Sequence, residues 1–485
     1  MISTESPPSP REGGRGGGSS ANASIEARFT LGMSNPLRAS VMYPPAREAF
    51  SRFRTATTSA AVRSSLSHAV GPLALYAHVP FCETKCAYCD YETVPLAAHD
   101  ATSIARYAAA LCRELDAIAA AIPSSIPVAG FDIGGGTPGT LSAADVSSLL
   151  RTVERRFTLA PSFEVSTETT PTLAAVDPAK WRAIRESGVS RVSMGVQTIA
   201  PALLSRLNRG IHGADVTRRG MDSLRAAGFA MVNVDLMFAL PGLSLESWEA
   251  TVAHAISLAP DVVTIYDTVY KNRGIATFAS RDGFAPSPSD YGAQYDRAFA
   301  LLSTAGYSAR YGSVNFSRVT GRLGTSRYLE GRILDGLDYA GAGLYASSLV
   351  RDTWRFGKQR YADWLAHAER CELAAHDLYA LPREHVIAKY VLLALSYGYL
   401  DGARFERRFG ETLTSRFGAE LAFLESRVLI ERTTDGWELV PGSFGALPGI
   451  RALFYPDDAL AFLPRTVVSE DRPSTRRQTA PPRSG

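Results

Sequence analysis

The chain lacks the features that mark several specialised classes of protein. No apolar run reaches the roughly 20 residues that a membrane-spanning helix needs. The 51 lysines and arginines nearly balance 48 aspartates and glutamates, so charge gives no reason to expect a nucleic-acid partner. The N-terminal residues contain no apolar stretch typical of a secretory signal. We therefore expect a cytoplasmic protein with no membrane span.

Cysteine is also scarce, and its distribution is uneven. The 485 residues include five cysteines, of which Cys82, Cys86 and Cys89 fall within eight residues, whereas Cys112 and Cys371 are isolated. An odd, clustered set does not fit a disulfide framework. Clustered thiols in a reducing compartment usually indicate a metal centre.

Short apolar segments alternate with helical ones between residues 71 and 285. The predicted strands cover 73–79, 130–135, 163–168, 191–196, 231–237 and 262–267. The predicted helices cover 103–122, 143–157, 178–186, 201–207, 215–227 and 245–258. Because parallel neighbours need a crossover connection, this alternation predicts an α/β fold with a parallel sheet, either open or curved into a barrel.

The flanking regions differ in composition from this central part. We predict a disordered N-terminal arm over 1–34, which is rich in Ser, Gly and Pro, and an extension over 35–70 that packs on the barrel. A mainly helical α+β region is predicted over 286–465, and a disordered tail over 466–485.

The cysteine spacing Cys82-x-x-x-Cys86-x-x-Cys89 is the strongest chemical signal. Three thiolates on one loop can hold a cubane iron–sulfur cluster and leave one iron without a protein ligand. A structural zinc site would need a fourth ligand. Zinc and a chance cluster of cysteines therefore stay open as alternatives.

Small and polar residues follow the ends of the predicted strands. The second strand ends in a segment of small residues, Gly135, Gly136 and Thr137. This segment has two interpretations, namely a backbone that approaches a ligand closely and a plain tight turn. Polar side chains end later strands, namely Glu168, Gln197, Asp235, Tyr266 and Asp267. Each alone is more typical of a cap or turn. Together they favour a partial barrel of six units, because the C-terminal strand ends of a barrel converge on one mouth.

Several motifs resemble those of radical S-adenosylmethionine (SAM) enzymes, in the branch of oxygen-independent coproporphyrinogen III oxidase and its heme-chaperone relatives. They occur in the family's order over about 170 residues of the chain. The motifs are LYAHVPFCETKCAYCDYE, FDIGGGTPGTLS, STETTP, GVSRVSMGVQT, LNRGIHG and VNVDLMFALPG.

The resemblance implies a fold, cofactors and roles for individual residues. The implied fold is a partial (β/α)6 barrel with a C-terminal, mainly helical α+β domain. Cys82, Cys86 and Cys89 would hold a [4Fe–4S] cluster whose open iron binds SAM. The implied SAM-site residues are Tyr76, Gly135, Gly136, Thr137, Glu168, Gln197, Arg209 and Asp235. Arg209 would be a natural partner for the methionine carboxylate.

The sequence also departs from both named activities of this branch. Tyr91 stands where the oxidase has an extra cysteine, and 324–343 contains no histidine where the chaperone has a His-Asn pair. Three functions therefore remain open: oxidative decarboxylation of a tetrapyrrole propionate, carbon methylation with a second SAM in natural-product biosynthesis, and heme binding. The polar segment 268–282 could line a substrate or second-cofactor site. We expect a monomer that takes electrons from a reductase or flavodoxin, and we expect His212 to be satisfied by backbone.

Overall fold

The architecture was determined from a computed structural model of the chain. It describes residues 17–35, 43–44, 48–55, 58–89, 91, 93–268, 287–356 and 359–463. The predicted tail and nearly all of segment 268–282 lie outside these residues.

Most strands of the protein belong to one large sheet. The strands are β1 (Leu73–Val79), β2 (Phe81–Cys82), β3 (Val94–Pro95), β4 (Pro127–Gly135), β5 (Thr158–Thr169), β6 (Arg191–Gln197), β7 (Met231–Phe238), β8 (Val262–Asp267), β9 (Asn315–Ser317), β10 (Asp338–Ala342), β11 (Ser348–Val350), β12 (Thr353–Arg355), β13 (Leu378–Ala380), β14 (Tyr399–Asp401), β15 (Ile430–Arg432) and β16 (Gly436–Leu439).

The sheet order is β13-β12-β11-β10-β1-β4-β5-β6-β7-β8-β9. Strands β10, β1 and β4 to β8 run parallel, whereas β11, β12, β13 and β9 add antiparallel pairs at the two edges. No pairing among the described strands joins the two edges. The large, parallel-rich sheet confirms the predicted α/β fold class, a partial barrel of six parallel units.

The described helices lie before, between and after the parallel strands of the sheet. Their bounds are Gly17–Ser34, Glu48–Ser51, Ser59–Ser67, Ala101–Ala119, Ala143–Arg156, Pro171–Val176, Pro178–Glu186, Pro201–Arg206, Ala214–Ala227, Leu245–Ser257, Pro288–Thr304, Arg327–Ile333, Tyr361–Glu369, Arg383–Ala394, Gly402–Phe409, Leu413–Ser426, Leu447–Ala452 and Asp457–Leu460. None of the helices described combines the length and the apolar composition that a membrane span requires.

Local sequence signals explain where these helices begin. Ser142 caps the helix Ala143–Arg156 in a capping box, since its hydroxyl accepts from the Asp145 N–H and the Asp145 carboxylate accepts from the Ser142 N–H. A capping box also starts the helix Pro288–Thr304 at Ser287. The core lies between the helices and the sheet, where Trp181 and Trp248 are fully buried.

The prediction of a disordered arm over 1–34 is wrong for residues 17–34. These residues form a helix whose side chains Ile25 and Phe29 are buried. The helix packs against Leu447–Ala452 so closely that a Cβ on Gly449 would lie 2.6 Å from the Phe29 ring. Burial of these two side chains stabilises a segment whose Gly/Ser-rich composition indicates disorder.

The C-terminal region packs into the open sheet as well as beside it. The helix Arg327–Ile333 contacts β1, β4 and β5. It approaches β4 so closely that a Cβ on Gly130 would lie 2.5 Å from the Tyr328 nitrogen. The helix therefore fills part of the barrel interior, at the end of the strands opposite to the cysteine loop.

Candidate active site

The C-terminal ends of the parallel strands surround a cavity of about 370 Å³. Its walls come from the cysteine loop, from the ends of β4 to β8 and from the loop that follows Pro201–Arg206. The predicted site residues that line it are Cys82, Cys86, Cys89, Gly135, Gly136, Thr137, Glu168, Gln197, Arg209 and Asp235.

The cysteine loop is held by backbone hydrogen bonds. The Cys89 N–H donates to the Cys86 carbonyl at 3.1 Å, and the Ala87 N–H donates to Leu207 O at 3.2 Å. Burial raises the pKa of Cys89 to about 11 and also raises that of Cys82. Without a metal, these two thiols would therefore stay protonated at neutral pH. A bound metal stabilises the thiolates that it requires.

The glycines at the C-terminal end of β4 bring that strand close to β1. Gly135 has a φ of +118°, and a Cβ there would lie 2.6 Å from the His78 ring. A Cβ on Gly136 would meet the Pro80 backbone at 2.8 Å. Both glycines therefore allow the tight packing of a turn and also form part of the cavity wall.

Gln197 has an unusual backbone and a firmly held side chain. Its φ is +68°, a left-handed conformation that is uncommon outside glycine. The Tyr266 hydroxyl donates to Gln197 Oε1 at 2.5 Å. The amide nitrogen of Gln197 lies over Gly195, where a Cβ would come within 2.9 Å. These contacts fix the direction of the amide at the cavity wall.

Asp235 is positioned by neighbouring polar side chains on the inner face of the sheet. Asn233 Nδ2 donates to Asp235 Oδ1 at 2.8 Å and to Ser193 Oγ at 2.7 Å. The Ser193 hydroxyl in turn donates to the other carboxylate oxygen of Asp235. Burial nevertheless raises the pKa of Asp235.

The Glu168 side chain is exposed, and its exposed surface faces the cavity at the C-terminal edge of the sheet. The loss of bulk water raises its pKa to about 8, with further contributions from the negative charges of Asp235 and Asp132. A cationic ligand would stabilise the carboxylate form of this side chain.

Arg209 supplies positive charge at the opposite side of the cavity. Its Nη1 donates to Cys86 Sγ at 3.3 Å, and its Nη2 donates to the Gly195 carbonyl. Within the described part of the chain its buried Nε has no hydrogen-bond partner. Each Nη nitrogen also carries a second N–H, so the guanidinium at the cavity wall retains donors that an anionic group could satisfy.

Tyr76 differs from the other predicted site residues because it does not line this cavity. Its ring stacks on Tyr328 with centroids 5.4 Å apart, and its hydroxyl lies 3.4 Å from His78 Nδ1. It therefore belongs to the neighbouring interior wall of the barrel.

Several cavity-lining residues were not predicted as site residues. The cavity is also lined by Tyr88, Ser193 and Tyr266. Tyr88 lies inside the cysteine motif, and this position could have indicated that it lines the cavity. His212 also lines it, and its Nδ1 contacts Thr172 Oγ1 at 2.9 Å. The predicted backbone partner of His212 is therefore replaced by a side chain.

The residues present fit a [4Fe–4S] cluster with SAM. No three Cys, His, Asp or Glu side chains of the described residues converge on a single metal ion. A cubane cluster instead takes each cysteine at a separate iron, which suits three thiols spread along one wall. Next to them, the spare donor of Arg209 suits a carboxylate, and Glu168 suits a cationic group.

Known proteins are similar to this chain in sequence and in fold. Residues 76–255 match the model of the Radical SAM superfamily. The heme chaperone HemW of Mycobacterium tuberculosis is 35% identical over 239 residues, which cover 49% of this chain and 60% of the chaperone. The oxygen-independent coproporphyrinogen III oxidase of Synechocystis is 25% identical over 429 residues, which cover 85% of this chain and 91% of the oxidase.

A solved structure shows the same fold. Coproporphyrinogen III oxidase (HemN) from Escherichia coli superposes with a TM-score of 0.65 at 22% identity, covering 81% of this chain and 93% of that one.

This chain is therefore similar, over residues 76–255, to the radical SAM superfamily. Its relatives include both coproporphyrinogen oxidases and heme chaperones. The predicted cofactors, a [4Fe–4S] cluster and SAM, are confirmed as those of the family, whereas the individual ligand residues and a second SAM remain predictions.

Proposed function

We propose that this protein is a radical SAM enzyme that oxidatively decarboxylates a propionate of a tetrapyrrole. When bound, the cluster and SAM would supply a 5′-deoxyadenosyl radical that removes one hydrogen atom from the propionate. Loss of carbon dioxide then releases one electron, which a separate one-electron acceptor takes up. The chain's own residues bind and orient the cofactors and exclude water from the radical.

In this proposal Cys82, Cys86 and Cys89 hold the cluster. Arg209 pairs with the carboxylate of SAM through its spare donor, and Glu168 accepts from the SAM amine. Gln197 and Asp235 bind other polar groups of the cofactor, since both line the cavity and both are held in place by neighbouring hydrogen bonds.

One observation favours the oxidase reaction over heme delivery. The similarity to the Synechocystis oxidase extends over 91% of that protein and includes the C-terminal region of this chain, whereas the similarity to the M. tuberculosis chaperone covers 60% of that protein. Heme binding is the second candidate, because the chaperone is the more identical of the two relatives over their aligned parts. The lack of histidine in 324–343 argues against it.

The test begins with anaerobic reconstitution of the full chain with iron and sulfide. The loaded protein is reduced with dithionite and incubated with SAM and coproporphyrinogen III, and the products are analysed by mass spectrometry. With a one-electron acceptor present, we expect 5′-deoxyadenosine together with a porphyrinogen that has lost carbon dioxide and two hydrogens from a propionate side chain.

Other outcomes separate the alternatives. Gain of a methyl group by the substrate, with S-adenosylhomocysteine released, would identify the methyltransferase instead. A Soret shift on addition of micromolar heme, without substrate decarboxylation, would favour the chaperone. Absence of 5′-deoxyadenosine in a fully loaded preparation would refute the radical mechanism.

A further inference from the structure

We propose that Arg332 binds a carboxylate group of the substrate inside the barrel, beyond the cofactor cavity. The inference deepens the proposed function and rests on it for the view that the ligand is a substrate. The ligand class is a molecule that has unsaturated rings and carries a carboxylate.

Arg332 carries a charge that has no counter-ion within the described residues. No carboxylate oxygen there lies within 4.0 Å of its nitrogens, although the same helix contains an Arg327–Glu330 pair at 2.8 Å. Its Nη1 donates to the Tyr328 hydroxyl at 3.3 Å, and its buried Nε has no partner among those residues. A charged group in a protein interior is usually paired, so this guanidinium lacks an anion.

The side chain of Arg332 is half-buried rather than fully enclosed. It sits on the helix Arg327–Ile333, which packs on the inner face of β1, β4 and β5, and it keeps part of its surface accessible. The guanidinium carbon lies 4.5 Å from the centre of the Tyr339 ring and 5.9 Å from that of Tyr328. These rings hold the guanidinium in place without neutralising it.

Neighbouring charges do not replace the missing anion. Asp132 lies in the same interior region, but its Oδ2 accepts from the Ser326 hydroxyl at 2.6 Å and it makes no ion pair with Arg332. Lys389 is also buried nearby, with its side-chain nitrogen 4.4 Å from the centre of the Trp354 ring. Burial, together with the charge of Arg332, lowers the pKa of Lys389 to about 7, so this side chain supplies no anion and no fixed second charge.

Aromatic rings connect Arg332 with the cofactor cavity. Tyr91 lines that cavity, and its ring centre lies 5.9 Å from His78. The His78 ring lies 6.0 Å from Tyr76, which in turn stacks on Tyr328. A substrate whose unsaturated rings pack along these side chains would have one end near the cluster and the other near Arg332.

The donors at the far end suit a carboxylate. An arginine fork can donate two parallel hydrogen bonds to the two oxygens of a carboxylate. The Tyr339 hydroxyl is also buried without a partner among the described residues, and it adjoins the guanidinium. Nε and this hydroxyl are therefore two unused donors, both buried, in or beside a side chain that keeps part of its surface accessible.

The test measures binding to reconstituted holoprotein by equilibrium dialysis. The probes are naphthoate, the uncharged naphthamide of the same shape, and coproporphyrin III. We expect Arg332→Gln to raise the Kd of naphthoate and coproporphyrin III about 10- to 100-fold, because a hydrogen bond to a charged group is lost. Binding of naphthamide should not change.

Two further variants keep the result interpretable. Arg327→Gln removes an arginine from the same helix and should leave all three Kd values unchanged. Arg332→Lys retains the charge without the fork, and it should give an intermediate Kd even if Arg332→Gln folds poorly.

The possible outcomes separate this inference from the proposed function. Naphthoate binding that depends on Arg332, without any binding of coproporphyrin III, would support the carboxylate site and contradict a tetrapyrrole substrate. Decarboxylation of coproporphyrinogen III by Arg332→Gln with unchanged kcat and KM would support the proposed function and overturn the carboxylate site. Equal binding of naphthoate and naphthamide would also overturn it.

Discussion

Two clusters of polar side chains in this protein differ in how completely their groups are paired. In the cofactor cavity, Arg209 retains an unpaired donor, and Glu168 faces open space beside other negative charges. In the second cluster, His385 is enclosed, with Nδ1 2.7 Å from the Tyr43 hydroxyl and Nε2 3.1 Å from Asp458 Oδ2. Unpaired charge beside a cavity indicates ligand binding, whereas paired groups in a packed interior hold segments together.

The second cluster joins distant parts of the chain. Tyr43 belongs to the N-terminal extension, His385 to the helix Arg383–Ala394, and Asp458 to the last described helix. Arg52 forms an ion pair with the same Asp458 oxygen. This arrangement supports the prediction that residues of 35–70 pack on the rest of the molecule, and it gives His385 a structural role.

The largest effect should come from removing a cluster ligand. Cys82→Ala should reduce 5′-deoxyadenosine formation to the level without enzyme, because two cysteines cannot hold the cluster with its open iron in place. Iron analysis and product chromatography measure this effect. Cys371→Ser is the control, since this exposed thiol lies outside the motif. Full activity of Cys82→Ala would contradict the assignment.

Loss of the positive charge in the cavity should have the next largest effect. Arg209→Gln should raise the KM for SAM about 10- to 100-fold, because the carboxylate of SAM loses a charged hydrogen-bond donor. Steady-state kinetics check this prediction. The exposed Arg219→Gln should leave the KM unchanged, and a shift of similar size in that control would show that the effect is not local.

The affinity for SAM should depend on pH through Glu168. Its pKa of about 8 means that the carboxyl group is mainly protonated at neutral pH before the ligand binds. Binding of a cationic group favours the ionised form, so affinity should rise as pH increases towards 8 and then level off. Titrations with SAM at several pH values should show a steeper slope for the wild type than for Glu168→Gln. Equal slopes for the wild type and Glu168→Gln would exclude the Glu168 carboxyl as the cause of the pH dependence.

A smaller effect is expected at the hydrogen bond that positions Gln197. Tyr266→Phe should raise the KM for SAM about fivefold, since one uncharged hydrogen bond is lost and the ring remains. Tyr291→Phe is a matched control, because this buried hydroxyl donates to Asp267 at 2.8 Å outside the cavity. Equal effects of the two variants would argue against a specific role for Tyr266.

The smallest effect on catalysis should come from the paired cluster. His385→Phe should leave kcat per folded molecule unchanged and lower the free energy of unfolding by about 1–3 kcal/mol, because two buried hydrogen bonds are lost. Thermal or urea unfolding measures this loss. A large fall in kcat would remove the distinction between the two clusters.

The pH dependence of stability offers a second check on His385. Burial lowers its pKa to about 4 from the ordinary value of 6.5. The unfolded chain therefore binds an additional proton between these values, and the free energy of unfolding should fall as pH decreases from about 6.5 to about 4. His78, whose pKa is likewise lowered to about 4, contributes in the same direction. His385→Phe should reduce the slope without abolishing it.

Local patterns predicted the central sheet well. The helix Pro178–Glu186 and strand β8 have the predicted bounds, and β1 begins and ends where its apolar run does. Strand-end residues such as Glu168 and Asp235 were predicted to converge because parallel strands share one C-terminal edge. The helix over 17–34 was missed, because Ile25 and Phe29 are stabilised by a partner more than 400 residues away in sequence.

Pairings between distant residues could not be predicted. The bond from Tyr266 to Gln197 spans 69 positions, and nothing in either local sequence indicates it. The lack of a counter-ion at Arg332 could not be predicted either, because a single arginine on a helix is typical of a solvated surface. Its unpaired state is a property of the packing around it.

Low-temperature EPR of the reduced holoprotein, recorded with and without SAM, tests the central claim most directly. If Cys82, Cys86 and Cys89 hold a [4Fe–4S] cluster with an open iron, reduction should give a signal of one cluster per chain, and addition of SAM should shift it. A colourless protein, or a cluster signal that SAM leaves unchanged, would contradict the account.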